Sequence, residues 1–159
     1  MKRADLSAQT CTIARAVALV GDEWSIMILR EMFLGARRYD DILRQTGMSP
    51  HILATRLRKL VAMGVLRREA YCDHPPRHDY RLTAMGRDLW PAVVALKQWG
   101  DRWLGSGDAP VEIVHRACGH AVTPTLTCPD CGAPMTAHDA VPRLSPDYAI
   151  ERETRRKSP

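Results

Sequence analysis

The sequence predicts a mainly α fold with a small β-wing, the winged helix-turn-helix, followed by a small C-terminal β module of zinc-ribbon type. Three observations carry this. Gly47 separates two short amphipathic segments, and the second opens on Ser49-Pro50 and bears Arg56, Arg58 and Lys59. Residues 65–68 and 80–83 then read as the strands of a hairpin whose tip is Asp73-His74-Pro75-Pro76-Arg77. Farther on stand two turns of ligand-x-x-ligand-Gly type, His115 to Gly119 and Cys128 to Gly132.

Local chemistry justifies each element in turn. Residues 11–20 form a short helix ending near Gly21. Asp22, a good N-cap, starts a helix that carries Trp24, Ile28, Leu29 and Met32 and is closed by Gly35. Arg37, Arg38 and Tyr39 lead into the helix 40–46, with Ile42 and Leu43 facing the core. Ser49 caps the next helix and Pro50 fits its first position, where a missing N–H is harmless. In the hairpin tip, two prolines stiffen the turn and prevent it from extending the sheet. Thr83 caps one long helix reaching Leu104, kinked at Pro91.

The helix after Ser49 merits a projection at about 100° per residue. Leu53, Leu57 and Leu60 make the buried stripe. His51, Thr55 and Lys59 fall opposite, with Ile52 and Arg58 on the flanks. From His51 to Arg68 every charged side chain is Arg or Lys, whereas a merely solvated helix mixes both signs. A one-signed surface of this kind suits the phosphates of double-stranded DNA. His51, Thr55 and Lys59 are expected nearest the bases and Arg56 or Arg58 nearer phosphate, with Ser49, Arg37 and Arg38 also DNA-binding and Arg68, His74 and Arg77 of the wing on the adjacent backbone or minor groove. The formal charge of +5 over 159 residues agrees with a polyanionic partner. No run approaches membrane-spanning length and no apolar stretch follows the N-terminus, so a cytoplasmic protein is expected.

The long helix is apolar on more than one side. Leu89, Val93, Leu96, Trp99 and Trp103 make one stripe, and Trp90 and Val94 lie elsewhere, so a twin subunit is expected to cover part of it. A single-subunit core that buries both stripes is the plainer alternative.

Several motifs in order now point to a family. Cys11, Gly21-Asp22-Glu23-Trp24, Gly35-Ala36-Arg37-Arg38-Tyr39, Gly47-Met48-Ser49-Pro50, the run from Pro75 to Thr83 and Trp99-Gly100 together resemble the HxlR-type transcriptional regulators, relatives of the MarR group, over residues 11–103. The resemblance implies a homodimeric winged-helix regulator paired through its terminal helices, acting by repression on a near-palindromic operator. It departs from the family in one place, where Thr12 replaces the usual proline after the early cysteine.

The domains expected are 1–104 for DNA binding and dimerisation, 105–112 as a linker, 113–145 as the zinc-ribbon-like module and 146–159 as a disordered basic tail. In the module, His115, Cys118, Cys128 and Cys131 have the spacing of a closed, structural zinc site, with His120 competing as fourth ligand and His138 a weaker candidate. A ribbon with reduced thiols and no metal is the bland reading. Cys11 and Cys72 read first as small buried hydrophobes. Cys11 also lies at a helix start with Arg15 one turn on, which would favour its thiolate and make it a redox sensor candidate for oxidants or electrophiles. Neither a nucleophile–base pair, a phosphate loop nor an open metal triad is present, so no enzyme is expected. The competing function is a zinc-stabilised adaptor that uses the winged helix for protein contacts.

Overall fold

A computed structural model of the chain describes residues 6–73 and 76–157, with every side chain among them except those of residues 72, 73, 76 and 77. The elements are α1 (Thr12–Val20), α2 (Glu23–Phe33), α3 (Tyr39–Thr46), α4 (Pro50–Ala62), β1 (Leu66–Asp73), β2 (Pro76–Leu82), α5 (Ala84–Arg87), α6 (Trp90–Leu104) and α7 (Pro146–Lys157). The chain divides into two compact units, residues 1–93 and 94–159.

In the first unit, α2, α3 and α4 stack on the base of the hairpin. Ile28, Leu29, Ile42, Leu53, Leu57, Leu60, Val65 and Leu66 are the inner members of one apolar cluster, with Leu89 and Val93 packed at its margin. The turn between α3 and α4 depends on Gly47, which sits in the left-handed region (φ 66°) as the C-cap of α3. Ser49 Oγ accepts the Ile52 N–H at 3.3 Å and starts α4 with Pro50 in its first turn. The hairpin pairs antiparallel from Leu66↔Leu82 out to Asp73↔Pro76, with an irregularity between Ala70 and Cys72. Contrary to expectation, Pro76 therefore does not keep the sheet from reaching the tip: it is the first residue of β2, a place where its missing donor is tolerated.

The expected long helix from Thr83 is two helices. Thr83 caps only α5, its Oγ1 accepting from Gly86 N at 3.1 Å and donating to Gly64 O at 2.6 Å. Gly86 holds α5 down on the start of β1, where a Cβ would stand 2.2 Å from the Val65 carbonyl oxygen. Pro91 has no N–H for the carbonyl of Arg87, so the helix breaks ahead of it and restarts at Trp90. Pro91 thus sits in a first turn, where it needs no kink.

The second unit has no strand among its described residues. Two short turns, closed by the single bridges Val114↔Ala121 and Thr127↔Pro134, replace the expected β module. Gln98 Nε2 of α6 donates to Pro124 O at 2.7 Å between them. Residues 146–157 are helical, where a disordered tail was expected. Ser145 Oγ accepts from Tyr148 N at 3.3 Å, Pro146 takes the first position, Asp147 lies in the first turn and Arg155, Arg156 and Lys157 in the last. Those charges complement the helix dipole, and Glu151–Arg155 and Glu153–Lys157 pair one turn apart.

Candidate nucleic-acid interface

The outer face of α4 differs from the projected one in a single exchange. His51 and Arg58 are exposed and Thr55 is half-buried between them, and the Arg58 Nη2 donates to Thr55 Oγ1 at 3.4 Å. Lys59, expected on that face, turns away. Its Nζ donates to the carbonyls of Leu19 at 2.5 Å and Ala18 at 3.2 Å, and lies 3.8 Å from Asp22 Oδ2. The cause is the C-terminus of α1, whose last carbonyls lack helical partners and attract a cation. A flexible four-carbon stem lets Lys59 reach them from the flank of α4.

Arg56 is anchored at the same spot. Its Nε is 3.0 Å from Asp22 Oδ1, held by charge rather than by an aligned hydrogen bond. Asp22 also caps α2, accepting from Ser25 N at 2.9 Å and from the buried Ser25 Oγ at 2.7 Å. One carboxylate, 9% exposed, thus ties α2 and two cations of α4 together. Arg56 and Lys59 are thus both engaged at the junction of α1 and α2. Sequence reasoning identified Asp22 as a cap and missed this second role.

A second anchor fixes the start of α4. Tyr39, opening α3, donates its hydroxyl to Pro50 O at 2.8 Å. Loss of solvent around that hydroxyl, then the neighbouring Tyr80 and Asp40, push its pKa above the ordinary value, so it remains a donor at neutral pH.

Arg37 and Arg38 are exposed on a segment that runs beside the wing: Tyr80 N donates to Arg37 O at 2.8 Å, and Arg38 bridges to Asp79. The Arg38 guanidinium covers the Tyr71 ring at 5.2 Å. Arg68, exposed on β1, meets His78 Nδ1 at 2.9 Å. Arg38, Tyr71, Arg68 and His78, together with Tyr39, Asp40 and Tyr80, line a cleft of about 390 Å³ beside the wing. Basic groups with aromatic walls suit a sugar–phosphate strand. Arg67 and Arg81 are instead both paired with Glu69, and Arg81 also with Asp79. His74 lies outside the described residues, and so do the side chains of Arg77 and Cys72.

Cys11 is the N-cap residue of α1, half-buried, with Arg15 N donating to its carbonyl at 3.1 Å. In the second unit, His115 Nδ1 lies 3.2 Å from Cys118 Sγ. The backbone N–H groups of Cys131 and Asp130, then the Cys131 thiol, lower the pKa of Cys128. Each expected ligand pair is therefore assembled within its own turn. Among the described residues, however, no three metal-ligating side chains converge.

A three-helix core that presents one helix outward, with a two-stranded wing beside it, defines a winged helix-turn-helix DNA-binding protein. A family model, HxlR-like helix-turn-helix, matches residues 19–108, and the chain belongs to that family. It is 41% identical over 138 residues to an uncharacterized HTH-type transcriptional regulator of Mycobacterium tuberculosis (strain CDC 1551 / Oshkosh), covering 86% of this chain and 87% of the relative. Among solved structures it is similar to PA1607, described as a candidate transcription factor, with 34% identity, a TM-score of 0.76 and coverage of 90% of this chain and 99% of that one. It is also similar to the oxidised form of the redox regulator HypR, with 31% identity, a TM-score of 0.54 and coverage of 58% and 96%. These are transcriptional regulators, not enzymes. The alignments with the first two are longer than the 93 residues of the first unit, so their likeness extends into the second. No helix among the described residues is long and apolar enough to cross a membrane.

Proposed function

We propose that the chain is a homodimeric repressor that occupies a near-palindromic operator and is released by oxidants or electrophiles. In this reading His51, Thr55 and Arg58 face base edges in the major groove, while Arg37, Arg38, Arg68, His74 and Arg77 hold phosphates beside it. The observation that carries it is the division of labour on α4: Arg56 and Lys59 are spent on the Asp22 anchor, which leaves an outward face of His51, Thr55 and Arg58 with no acidic side chain. Pairing of two subunits is supported by apolar side chains left exposed, Ile13 and Val17 on α1 and Leu96, Trp99 and Trp103 on α6. Such a protein works beside the chromosome, in the cytoplasm.

The oxidant response is assigned to Cys11. Its place at the N-terminus of α1 favours the thiolate, and the likeness to a redox regulator supports the assignment.

Selection of bound fragments from the source genome, with and without diamide, tests the whole reading. A shared inverted-repeat sequence should emerge, and be lost on oxidation in the wild type but retained with Cys11→Ser. On that sequence Arg58→Ala should cost roughly 1–3 kcal/mol and relax preference at one base position in each half-site, whereas Arg68→Ala should weaken all sequences alike. Recovery of random fragments with no common sequence would overturn the proposal.

A further inference from the structure

Two stretches of the second unit, residues 113–122 and 126–135, repeat one another bond for bond. In the first, Gly119 N donates to His115 O at 2.8 Å, His115 N to His120 O at 2.9 Å and Val122 N to Ile113 O at 2.8 Å. In the second, Gly132 N donates to Cys128 O, Cys128 N to Ala133 O and Met135 N to Leu126 O, each at 2.8 Å. Each is closed by one β-bridge, and Gly119 and Gly132 have the same left-handed φ of 72°. Superposed in this way, His115 falls on Cys128, Cys118 falls on Cys131, and His120 falls on Ala133.

A second observation is independent of the first. From residue 105 to 157 no described side chain is buried. Leu126 and Val141, which a packed ribbon would cover, are 75% and 87% exposed. Two turns of defined shape with no apolar core need some other cross-link to hold them, and a metal ion supplies one.

We propose that the two turns close on one structural zinc ion held by His115, Cys118, Cys128 and Cys131, with His115 and not His120 as the nitrogen ligand. The repeat decides between the histidines, because His120 occupies the position of a residue that has no ligating atom. The Nδ1 of His115 is the coordinating nitrogen. Its 3.2 Å separation from Cys118 Sγ is close to the roughly 3.5 Å that ordinary Zn–N and Zn–S bonds at a tetrahedral angle require. In the second turn the backbone N–H groups of Asp130 and Cys131 face Cys128. Binding displaces the thiol protons of the three cysteines to solvent and takes His115 neutral. Among the described residues the two pairs have not converged, so the two turns, each already closed by its own bonds, come together on binding the ion. Four protein ligands leave no open position, which makes the ion structural rather than catalytic.

The test uses the full chain, purified without chelator. Elemental analysis should find one zinc per chain. Cys118, Cys128 and Cys131 should react with a thiol reagent only after chelation, and Co²⁺ exchanged into the site should give the visible bands of a tetrahedral ion with thiolate charge-transfer absorption. His115→Ala and Cys128→Ser should each lower metal affinity more than about tenfold, and His120→Ala should leave it unchanged. DNA binding by the first unit reports whether a variant is otherwise folded. A metal-free chain that also takes up no Co²⁺ overturns the site; sensitivity to His120→Ala but not His115→Ala overturns the ligand assignment.

Discussion

From Val20 to Leu66 the first unit buries one continuous cluster of apolar side chains from four helices and the base of the wing. In the second unit, past Gly105, every described side chain stays at least partly in water, and each turn is closed by backbone bonds spanning nine residues or fewer, with one longer bond from Gln98 to Pro124. The first unit is therefore held by contacts distant in sequence, which fail together when one fails. Contacts of the second kind are local, so damage to one turn should stay in that turn. The largest expected effect tests the first half of this contrast. Leu57 is fully buried, and Leu57→Ala should cost about 2–5 kcal/mol of stability in urea. Hydrogen exchange should quicken across α2, α3 and α4 while the amides of Gly119 and Gly132 keep their wild-type rates. If those two amides accelerate equally, the two units unfold as one and the contrast is wrong.

A smaller effect sharpens the comparison, because in the first unit even a polar side chain acts across the sequence. Asp22→Ala removes the cap of α2 and strands Arg56 near the α1–α2 junction, for a loss of roughly 2 kcal/mol. Asp22→Asn keeps an acceptor for Ser25 N but not the charge for Arg56 and Lys59. It should lose about half as much stability yet weaken DNA binding on every sequence, since α4 is then less firmly oriented. Thermal melts paired with titrations on one operator separate the two effects.

The same contrast explains what could be read beforehand. Helices α1 to α4 were legible because caps and apolar period are local signals, and Ser49-Pro50 and Gly47 mark boundaries the fold keeps. The destination of Lys59 was not, since nothing in its own helix reveals that the last carbonyls of α1 lie within reach. Helical projection gave its direction from the axis but not where a long, flexible stem would end. The break before Pro91 was half legible: the missing N–H is in the sequence, but the close approach of Gly86 to Val65 that pins α5 is tertiary. Helix α7 was legible and overlooked, as Ser145-Pro146 repeats the start signal of Ser49-Pro50. The basic run at its end suggested a loose tail, although cations in a last turn favour a helix. The ligand pairs of the second unit were legible as spacing, and the choice between His115 and His120 needed the repeat in backbone bonding.

The smallest effect tests the local character of the second unit with one substitution made twice. A Cβ added at Gly100 or at Gly132 meets nothing within 4 Å, so packing does not distinguish the sites. Backbone conformation does. Gly100 lies within α6 and has no positive φ, so Gly100→Ala reduces the freedom of the unfolded chain without strain and should stabilise α6 by roughly 0.5–1 kcal/mol. Gly132 has φ 72°, and Gly132→Ala should destabilise its turn by about 1–2 kcal/mol, the usual cost of a Cβ in the left-handed region. Amide exchange should therefore slow within α6 in the first variant, and quicken at residue 132 and Cys128 in the second. In neither, in chelated protein, should Gly119 respond, because its turn closes through its own bonds. A Gly132→Ala variant that loosened both turns equally would show them already coupled, and in metal-loaded protein that coupling should appear and then vanish on chelation.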